Sequence, residues 1–427
     1  MFNARLETTK IKAGQPRTLG LLIEAAAPAL PAQTLTRSPQ AIVFVVDRSG
    51  SMGGGRLELI KSTIGQMIGQ LNPADYISVI SFDTEVEVHL PLREKSTLDA
   101  AQLRRELAQL EPGGSTNLEL GYRFGLAEAD KAPSGVETKL ILLSDGHANA
   151  GITDPAALGQ LAALATEHLV STSTIGIGTG FDEAMLATVA SSGQGNHFAA
   201  VAVEEAVAGL QDEIDGLLER SIRNLMCLIE IEHPQYLRTI FPIGYVPQYE
   251  RDNRSLKANL GALVSGEERG WAFVLDLNGI PESEIDKLGV RVTLMGENAL
   301  DGGIVDYIET LNIEVASPVN FVADPIEEDV LAELAIFKMA GIKESAAQAA
   351  RNGSFDEARN LILNAQSDTA ELLRQLDKLT PRVRLRILAE NRELAELLGF
   401  TDIEFSKRAT ESSFRSARSK PNPRDKN

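Results

Sequence analysis

Between residues 41 and 219, short apolar runs alternate with amphipathic stretches, and this alternation restricts the possible folds more than any other feature of the chain. Such a pattern is typical of a mostly parallel sheet covered by helices on both faces. The predicted strands are AIVFVV (41–46), YISVISF (76–82), KLILLS (139–144), STSTIGIG (171–178) and HFAAV (197–201). Helices are predicted between them, at 57–71, 103–110, 118–130, 155–168, 182–191 and 203–218. We therefore predict a doubly wound α/β domain.

One further strand is expected to run against the others. VEVHL (86–90) follows YISVISF after only a few residues, too few for a crossover helix. Strands joined so closely pair antiparallel. We predict that 86–90 forms an antiparallel strand at the edge of the sheet.

After Arg220 the sequence changes to alternating segments such as MCLIEIEH and GWAFVLDL, separated by Gly, Asn and Pro turns. This pattern predicts an antiparallel β-sandwich. Residues 4–10 and 18–25 are also strand-like, and we expect them to pair with the later strands. The α/β domain would then be inserted into the sandwich.

The C-terminal part of the chain is predicted to be helical and then disordered. Residues 325–398 are rich in Ala, Leu, Glu and Arg, with breaks at Asn352-Gly353 and Thr380-Pro381, so three helices are expected. The final segment is polar and basic and has too few apolar residues for a core. The predicted organisation is sandwich strands at 1–38, the α/β domain at 39–219, the rest of the sandwich at 220–322, a helical domain at 323–400 and a disordered basic tail at 401–427.

Composition excludes several classes of protein. The net charge of -19 argues against a nucleic-acid surface, which needs a basic patch. Cys227 is the only cysteine, so an intrachain disulfide and a Cys-rich zinc site are excluded and a reducing compartment fits. The chain has no apolar run long enough for a signal segment or a membrane span, so we expect a cytoplasmic protein.

The most informative segment is VVDRSGSMGG, which places Asp47, Ser49 and Ser51 in a loop directly after a buried strand. Loops at the carboxyl ends of strands are where doubly wound sheets bind ligands. One carboxylate and two hydroxyls are hard oxygen donors, which suit Mg²⁺ or Mn²⁺ and are poor ligands for zinc or copper. The segment therefore predicts a divalent-cation site.

Two other loops supply further oxygen ligands. EPGGSTNLELG places Thr116 just before a helix, and LILLSDGHANAG places Asp145 at the end of a central strand. With these residues, 39–219 resembles the von Willebrand factor A (vWA) family, whose metal-ion-dependent adhesion site has an Asp-x-Ser-x-Ser loop, a Thr and an Asp in that order. A vestigial site, in which these residues only cap helices, is the alternative; the five intact positions argue against it.

The resemblance implies a role for each residue of the site. Ser49 and Ser51 would ligate Mg²⁺, or Mn²⁺ or Ca²⁺, through their hydroxyls, and Thr116 would join in the ligand-bound form. Asp47 and Asp145 would act directly or through water, which leaves a position for an Asp or Glu of a partner protein. The candidates for partner specificity, each of which could equally be a solvent-facing loop residue, are Arg48, Met52, His147 and Asn149.

We predict a metal-dependent scaffold of the cytoplasmic bacterial type rather than an enzyme. GIGTG (176–180) lacks the third glycine of a dinucleotide-binding loop, and the chain has no Gly-Lys dipeptide for a Walker A loop. A second hypothesis is a non-catalytic partner of a MoxR-type or chelatase-type AAA+ ATPase. A third, a metal-dependent hydrolase, lacks a general base or nucleophile beside the motif.

Overall fold

The computed structural model describes residues 2–28, 38–218, 220–244, 246, 248–299, 302–319 and 321–417. The strands are β1 (Phe2–Leu6), β2 (Lys10–Lys12), β3 (Arg17–Ala26), β4 (Ala41–Asp47), β5 (Tyr76–Phe82), β6 (Val86–Glu94), β7 (Thr138–Ser144), β8 (Val170–Ile177), β9 (Gln194–Ala200), β10 (Arg220–Ile231), β11 (Leu237–Ile243), β12 (Gln248–Arg251), β13 (Ser255–Val264), β14 (Glu268–Leu277), β15 (Lys287–Asn298) and β16 (Ile304–Ala316). The helices are α1 (Arg56–Gln70), α2 (Ala100–Ala108), α3 (Leu118–Ala129), α4 (Pro155–Thr166), α5 (Glu183–Ser192), α6 (Val203–Leu218), α7 (Glu328–Arg351), α8 (Phe355–Gln375), α9 (Pro381–Leu397) and α10 (Asp402–Ser416).

The chain divides into two compact units. Leu35–Glu219 forms the α/β unit, and Met1–Thr34 together with Arg220–Asn427 forms the other, which contains the sandwich and the C-terminal helices. Within the described part of the chain, no helix is both long enough and apolar enough to cross a membrane.

The α/β unit has one sheet with strand order β6-β5-β4-β7-β8-β9. Strand β4 is central and pairs in parallel with β5 and β7. The edge strand β6 pairs antiparallel with β5, so this prediction is confirmed. The predicted strands and helices of this region are all present, with ends that differ by a few residues.

Strand β4 is buried over its whole length because helices cover both faces of the sheet. Ile42, Phe44 and Val46 belong to a core with α1, α2 and α6. Val43 and Val45, which point the other way, belong to a second core with α3, α4 and α5. The continuous apolar run of β4 is thus the pattern of a strand that contributes to two cores.

The second unit is a sandwich of two sheets around one core. The sheets have the orders β1-β3-β14-β11 and β12-β13-β10-β15-β16-β2. Strand β3 pairs antiparallel with β14 from Arg17–Leu277 to Ala26–Glu268, which confirms that N-terminal strands pair with later ones. Both sheets contribute to one core, which contains Trp271 and the fully buried Cys227. Burial raises the pKa of the Cys227 thiol.

The C-terminal helices pack on the sandwich and on one another. Val330, Leu334 and Phe337 of α7 contact Leu22 and Ala272 in β3 and β14. The predicted breaks separate α7 from α8 and α8 from α9, and Gly353 has a φ of 80°. These helices agree with the three that the sequence predicts.

The prediction that 401–427 is disordered is wrong for Asp402–Ser416, which forms α10. Phe405 and Ala409 pack in the core of α7 and α8. The apolar content of this segment is low, but its charged side chains find partners on neighbouring helices, which the sequence pattern does not reveal. Residues 418–427 lie outside the described residues.

Those partners form what we term the helical ion cluster, made of Lys343, Glu390, Glu393, Glu411 and Arg415. The Lys343 Nζ is fully buried, contacts Glu390 and lies 3.4 Å from Glu393 Oε2. Arg415 pairs with Glu393 and, at 2.5 Å, with Glu411. Burial by itself raises the pKa of Glu393, but the two cations outweigh it and lower the pKa to about 2.

Candidate metal centre

The three predicted loops meet at the carboxyl edge of the α/β sheet. The loop after β4 contacts the loop before α3, because Gly113 N donates to Arg48 O at 2.7 Å and Gly50 N donates to Gly114 O at 3.3 Å. The neighbouring strand β7 ends at Ser144, so Asp145 follows at the same edge. Residues that are nearly a hundred positions apart in sequence therefore lie in contact.

Three oxygens converge at this edge. The Ser51 hydroxyl donates to Asp145 Oδ1 at 2.6 Å, and the Ser49 hydroxyl lies 3.4 Å from the same oxygen. The two hydroxyl oxygens are 3.1 Å apart. Two serines of the loop after β4 and one aspartate of the loop after β7 thus form a compact triangle of oxygens.

Asp47 is fully buried and orders the loop that carries the two serines. Its Oδ1 accepts a hydrogen bond from Ser49 N at 2.8 Å, and its Oδ2 accepts one from the Ser144 hydroxyl at 2.6 Å. Burial raises the pKa of Asp47, and these hydrogen bonds offset only part of that effect. A carboxylate buried in this way is stabilised as an anion by a nearby cation.

Thr116 is held at the site by the turn after β5. Asp83 O accepts from Asn117 N at 2.9 Å, and Asp83 Oδ2 accepts from Gly114 N at 3.0 Å. The Thr116 hydroxyl is so close to Gly146 that a Cβ at position 146 would lie 2.9 Å from it. Thr116 therefore borders the loop that carries Asp145, and a residue without a side chain at 146 permits this approach.

Arg56, which the sequence pattern does not single out, also contacts the site. Its Nη1 lies 3.2 Å from Asp145 Oδ2 and donates to Ser51 O at 3.2 Å. The side chain is 44% exposed. From sequence alone, a basic residue at the start of a helix is ordinarily interpreted as a solvated surface residue. The local sequence does not predict its contact with Asp145, which is 89 positions away.

The four specificity candidates lie in different environments. His147 and Asn149 are exposed. Arg48 is mostly covered and pairs with Asp83 and Glu87. Met52 is fully buried in the core beside α1, so its prediction as a partner-binding residue is wrong. The 3-10 turn Gly50–Met52 directs this side chain inward.

The donor set fits a hard divalent cation. Among the described residues, no three or more His, Cys, Asp or Glu side chains group as a metal site, so these two carboxylates would act together with hydroxyls. Neighbouring ligand oxygens around an octahedral Mg²⁺ are expected to lie about 3 Å apart. The three oxygen–oxygen distances at this site, 2.6, 3.1 and 3.4 Å, lie on either side of that value. The residues therefore suit Mg²⁺ or Mn²⁺ better than a soft metal.

Residues 41–213 match the family model of the von Willebrand factor type A domain. This part of the chain is a vWA domain. Similar proteins include the uncharacterized protein YfbK of Escherichia coli, 29% identical over 58% of this chain and 43% of the relative. The uncharacterized protein sll0103 of Synechocystis is 26% identical over 55% of this chain and 56% of the relative. The chain thus spans about half the length of these relatives.

The chain also resembles part of human inter-alpha-trypsin inhibitor heavy chain H3, 28% identical over 48% of this chain and 23% of the relative. Two solved structures resemble nearly the whole chain. They are the vWA protein of Catenulispora acidiphila, with a TM-score of 0.72 over 97% of this chain and 96% of that one, and the ArnB paralog VWA2 of Sulfolobus acidocaldarius, with 0.66 over 98% of each. Both are 16% identical, so they show the shared fold alone.

Proposed function

We propose that this protein binds a divalent cation, Mg²⁺ in the first instance, and uses it to bind a carboxylate of a partner protein. The cation would be held by Asp47, Ser49, Ser51, Thr116 and Asp145. The observation that carries the proposal is the convergence of both serine hydroxyls on one oxygen of Asp145. A vWA domain commonly serves protein–protein interaction, which supports a binding role.

The chemistry of the donors supports an external carboxylate as the ligand. Hydroxyls are neutral, so a cation that they hold keeps much of its charge and attracts an anionic oxygen. The net charge of -19 repels acidic partners at long range. We therefore expect the partner's carboxylate to lie within a basic surface and binding to weaken as salt concentration rises.

The proposal is tested by affinity capture from native lysate with wild-type protein, Ser51→Ala and Ser115→Ala. Ser115 is exposed in the loop before α3 and is outside the proposed ligand set, so it is the matched control. Each protein is used with Mg²⁺ and with EDTA, after circular dichroism has shown equal folding. Partner capture should require Mg²⁺ and Ser51 and should not require Ser115.

A partner retained by Ser51→Ala and in EDTA would contradict the proposal. An AAA+ ATPase among Mg²⁺-dependent partners would instead favour the role of a non-catalytic subunit. The proposal includes a cytoplasmic location, tested by cell fractionation, and the absence of enzymatic activity. Metal-dependent hydrolysis that disappears in Asp47→Ala would overturn that last point.

A further inference from the structure

We propose that Arg56 is a second anion-binding element of the site, which makes cation binding depend on the arrival of an external carboxylate. This inference rests on the proposed function and adds the residue that contacts the partner's carboxylate beside the cation. It follows from the position, the uncommitted donors and the charge of Arg56.

Arg56 is held by hydrogen bonds to two strand-end loops and lies near a third. Its Nη1 contacts Ser51 O in the loop after β4 and Asp145 Oδ2 in the loop after β7. A Cβ placed on Gly178, in the loop after β8, would lie 3.9 Å from both terminal nitrogens. The guanidinium is therefore fixed at the rim of the predicted cation position rather than extended into solvent.

The guanidinium retains donors for another ligand. Both described hydrogen bonds of Arg56 use Nη1, so Nε and Nη2 donate to no acceptor within the described part of the chain. The side chain is 44% exposed, which leaves these donors accessible. A planar guanidinium is the side chain best suited to hydrogen-bond a carboxylate.

The balance of charge gives the site its dependence on an anion. Asp47 and Asp145 together carry the charge that matches one divalent cation, so a bound cation would compete with Arg56 for Asp145 and leave the guanidinium available to another carboxylate. Arg48, the neighbouring cation, is already paired with Asp83 and Glu87. The bound cation and the freed guanidinium of Arg56 would both attract one external carboxylate, so the cation and the carboxylate should bind cooperatively.

Arg56 also opposes the binding of a cation alone. It neutralises Asp145 before a cation arrives, and its positive charge repels an incoming cation. Replacement by a neutral residue should therefore strengthen cation binding in the absence of carboxylate and weaken the cooperation with it.

The test measures Mn²⁺ affinity by electron paramagnetic resonance of the free ion, using the full chain in chloride buffer with and without acetate. In wild-type protein acetate should raise Mn²⁺ affinity on the order of tenfold, a typical coupling between two ligands. Arg56→Gln should bind Mn²⁺ about tenfold more tightly in chloride and show a smaller acetate effect than wild type, because the carboxylate would then be held by the cation alone. Arg56→Lys, which keeps the charge, should retain the weak binding in chloride.

Arg123→Gln is the matched control, because Arg123 is 49% exposed in the same unit and pairs with Glu119. It should behave as wild type, and thermal unfolding should show all variants folded. Equal Mn²⁺ affinity and equal acetate dependence in wild type and Arg56→Gln would overturn the inference while leaving the proposed function standing. Failure of wild-type protein to bind Mn²⁺ would overturn both.

Discussion

The candidate metal centre and the helical ion cluster both collect charges away from water, and they balance them differently. In the helical ion cluster, Lys343 and Arg415 are surrounded by glutamates that they contact directly. In the metal centre, Asp47 contacts only hydrogen-bond donors and has no cationic side chain as a described partner. In the first arrangement the carboxylates have cationic side chains as partners, whereas in the second we propose that a cation from solution takes that place.

The pKa values of two carboxyl groups express this difference. That of Glu393 is lowered from 4.5 to about 2, so its contribution to stability is present above pH 4.5 and is lost as the pH falls towards 2. That of Asp47 is raised, so its contribution in the metal-free protein is present at acidic pH and is lost as the pH rises through the raised pKa. Ionised Glu393, which contacts cationic side chains, stabilises the fold, whereas ionised Asp47, which has no such partner among the described contacts, is suited to binding a cation.

The largest effect is expected for Lys343→Met, which removes the buried cation that contacts Glu390 and Glu393. Removing one member of a buried ion pair costs about 3–5 kcal/mol. Urea unfolding followed by the fluorescence of Trp271, the only tryptophan and part of the same unit, measures the change. Lys338→Met on the exposed side of α7 is the control, with a change within about 0.5 kcal/mol. Equal stability of the two variants would show that the cluster does not stabilise this unit.

The pH dependence of Glu393→Gln sharpens the comparison. The quantity compared is the unfolding free energy of wild type minus that of the variant. This difference should be about 3 kcal/mol larger at neutral pH than at pH near 2, because the stabilisation in wild type depends on ionised Glu393. Unfolding curves across this range give the difference directly. Glu396→Gln, which alters an exposed partner of Arg392, should show a nearly constant difference. A constant difference for Glu393→Gln as well would contradict the lowered pKa.

Asp47→Asn should separate stability from binding in the metal centre. Asn keeps the volume and one acceptor, so metal-free stability should change by about 1 kcal/mol or less. Mg²⁺ at about one hundred times its Kd should add about 2.7 kcal/mol to wild type and nothing to the variant. Hydrogen exchange of the β4 amides measures both quantities. Asp130→Asn, exposed at the end of α3, should respond to Mg²⁺ as wild type does. Mg²⁺ protection that persists in Asp47→Asn would exclude Asp47 from the site.

The smallest change in stability is expected for His147→Ala at the exposed rim of the metal centre. His147 Nδ1 lies 3.7 Å from Asp182 Oδ2, and its side chain is 71% exposed, so unfolding free energy should change by less than about 0.5 kcal/mol. Partner capture should nevertheless weaken. His168→Ala, exposed just before β8 begins and hence at the opposite sheet edge, is the control. Equal capture by both variants would remove His147 from the partner-binding surface.

Sequence patterns predicted what depends on local periodicity. The apolar run of β4 predicted a strand buried on both faces, and the short connection between β5 and β6 predicted their antiparallel pairing. The positions of Asp47 and Asp145 at strand ends, and of Thr116 just before a helix, predicted that all three lie at one edge of the sheet. Contacts across the chain were not predictable in this way. The pairing of Arg56 with Asp145, the burial of Met52 by a single turn and the partners of the charged residues in α10 all depend on tertiary packing.

The buried position of Cys227 makes it a natural probe of how often the sandwich opens. A cysteine reacts through its thiolate, which attacks the reagent, and burial in the core both blocks access and disfavours the thiolate by raising the pKa. A thiol reagent can therefore modify native protein only when β10 separates from its neighbours. The rate of labelling at this single cysteine then measures the opening frequency of one unit, and the fluorescence of Trp271 reports its opened fraction.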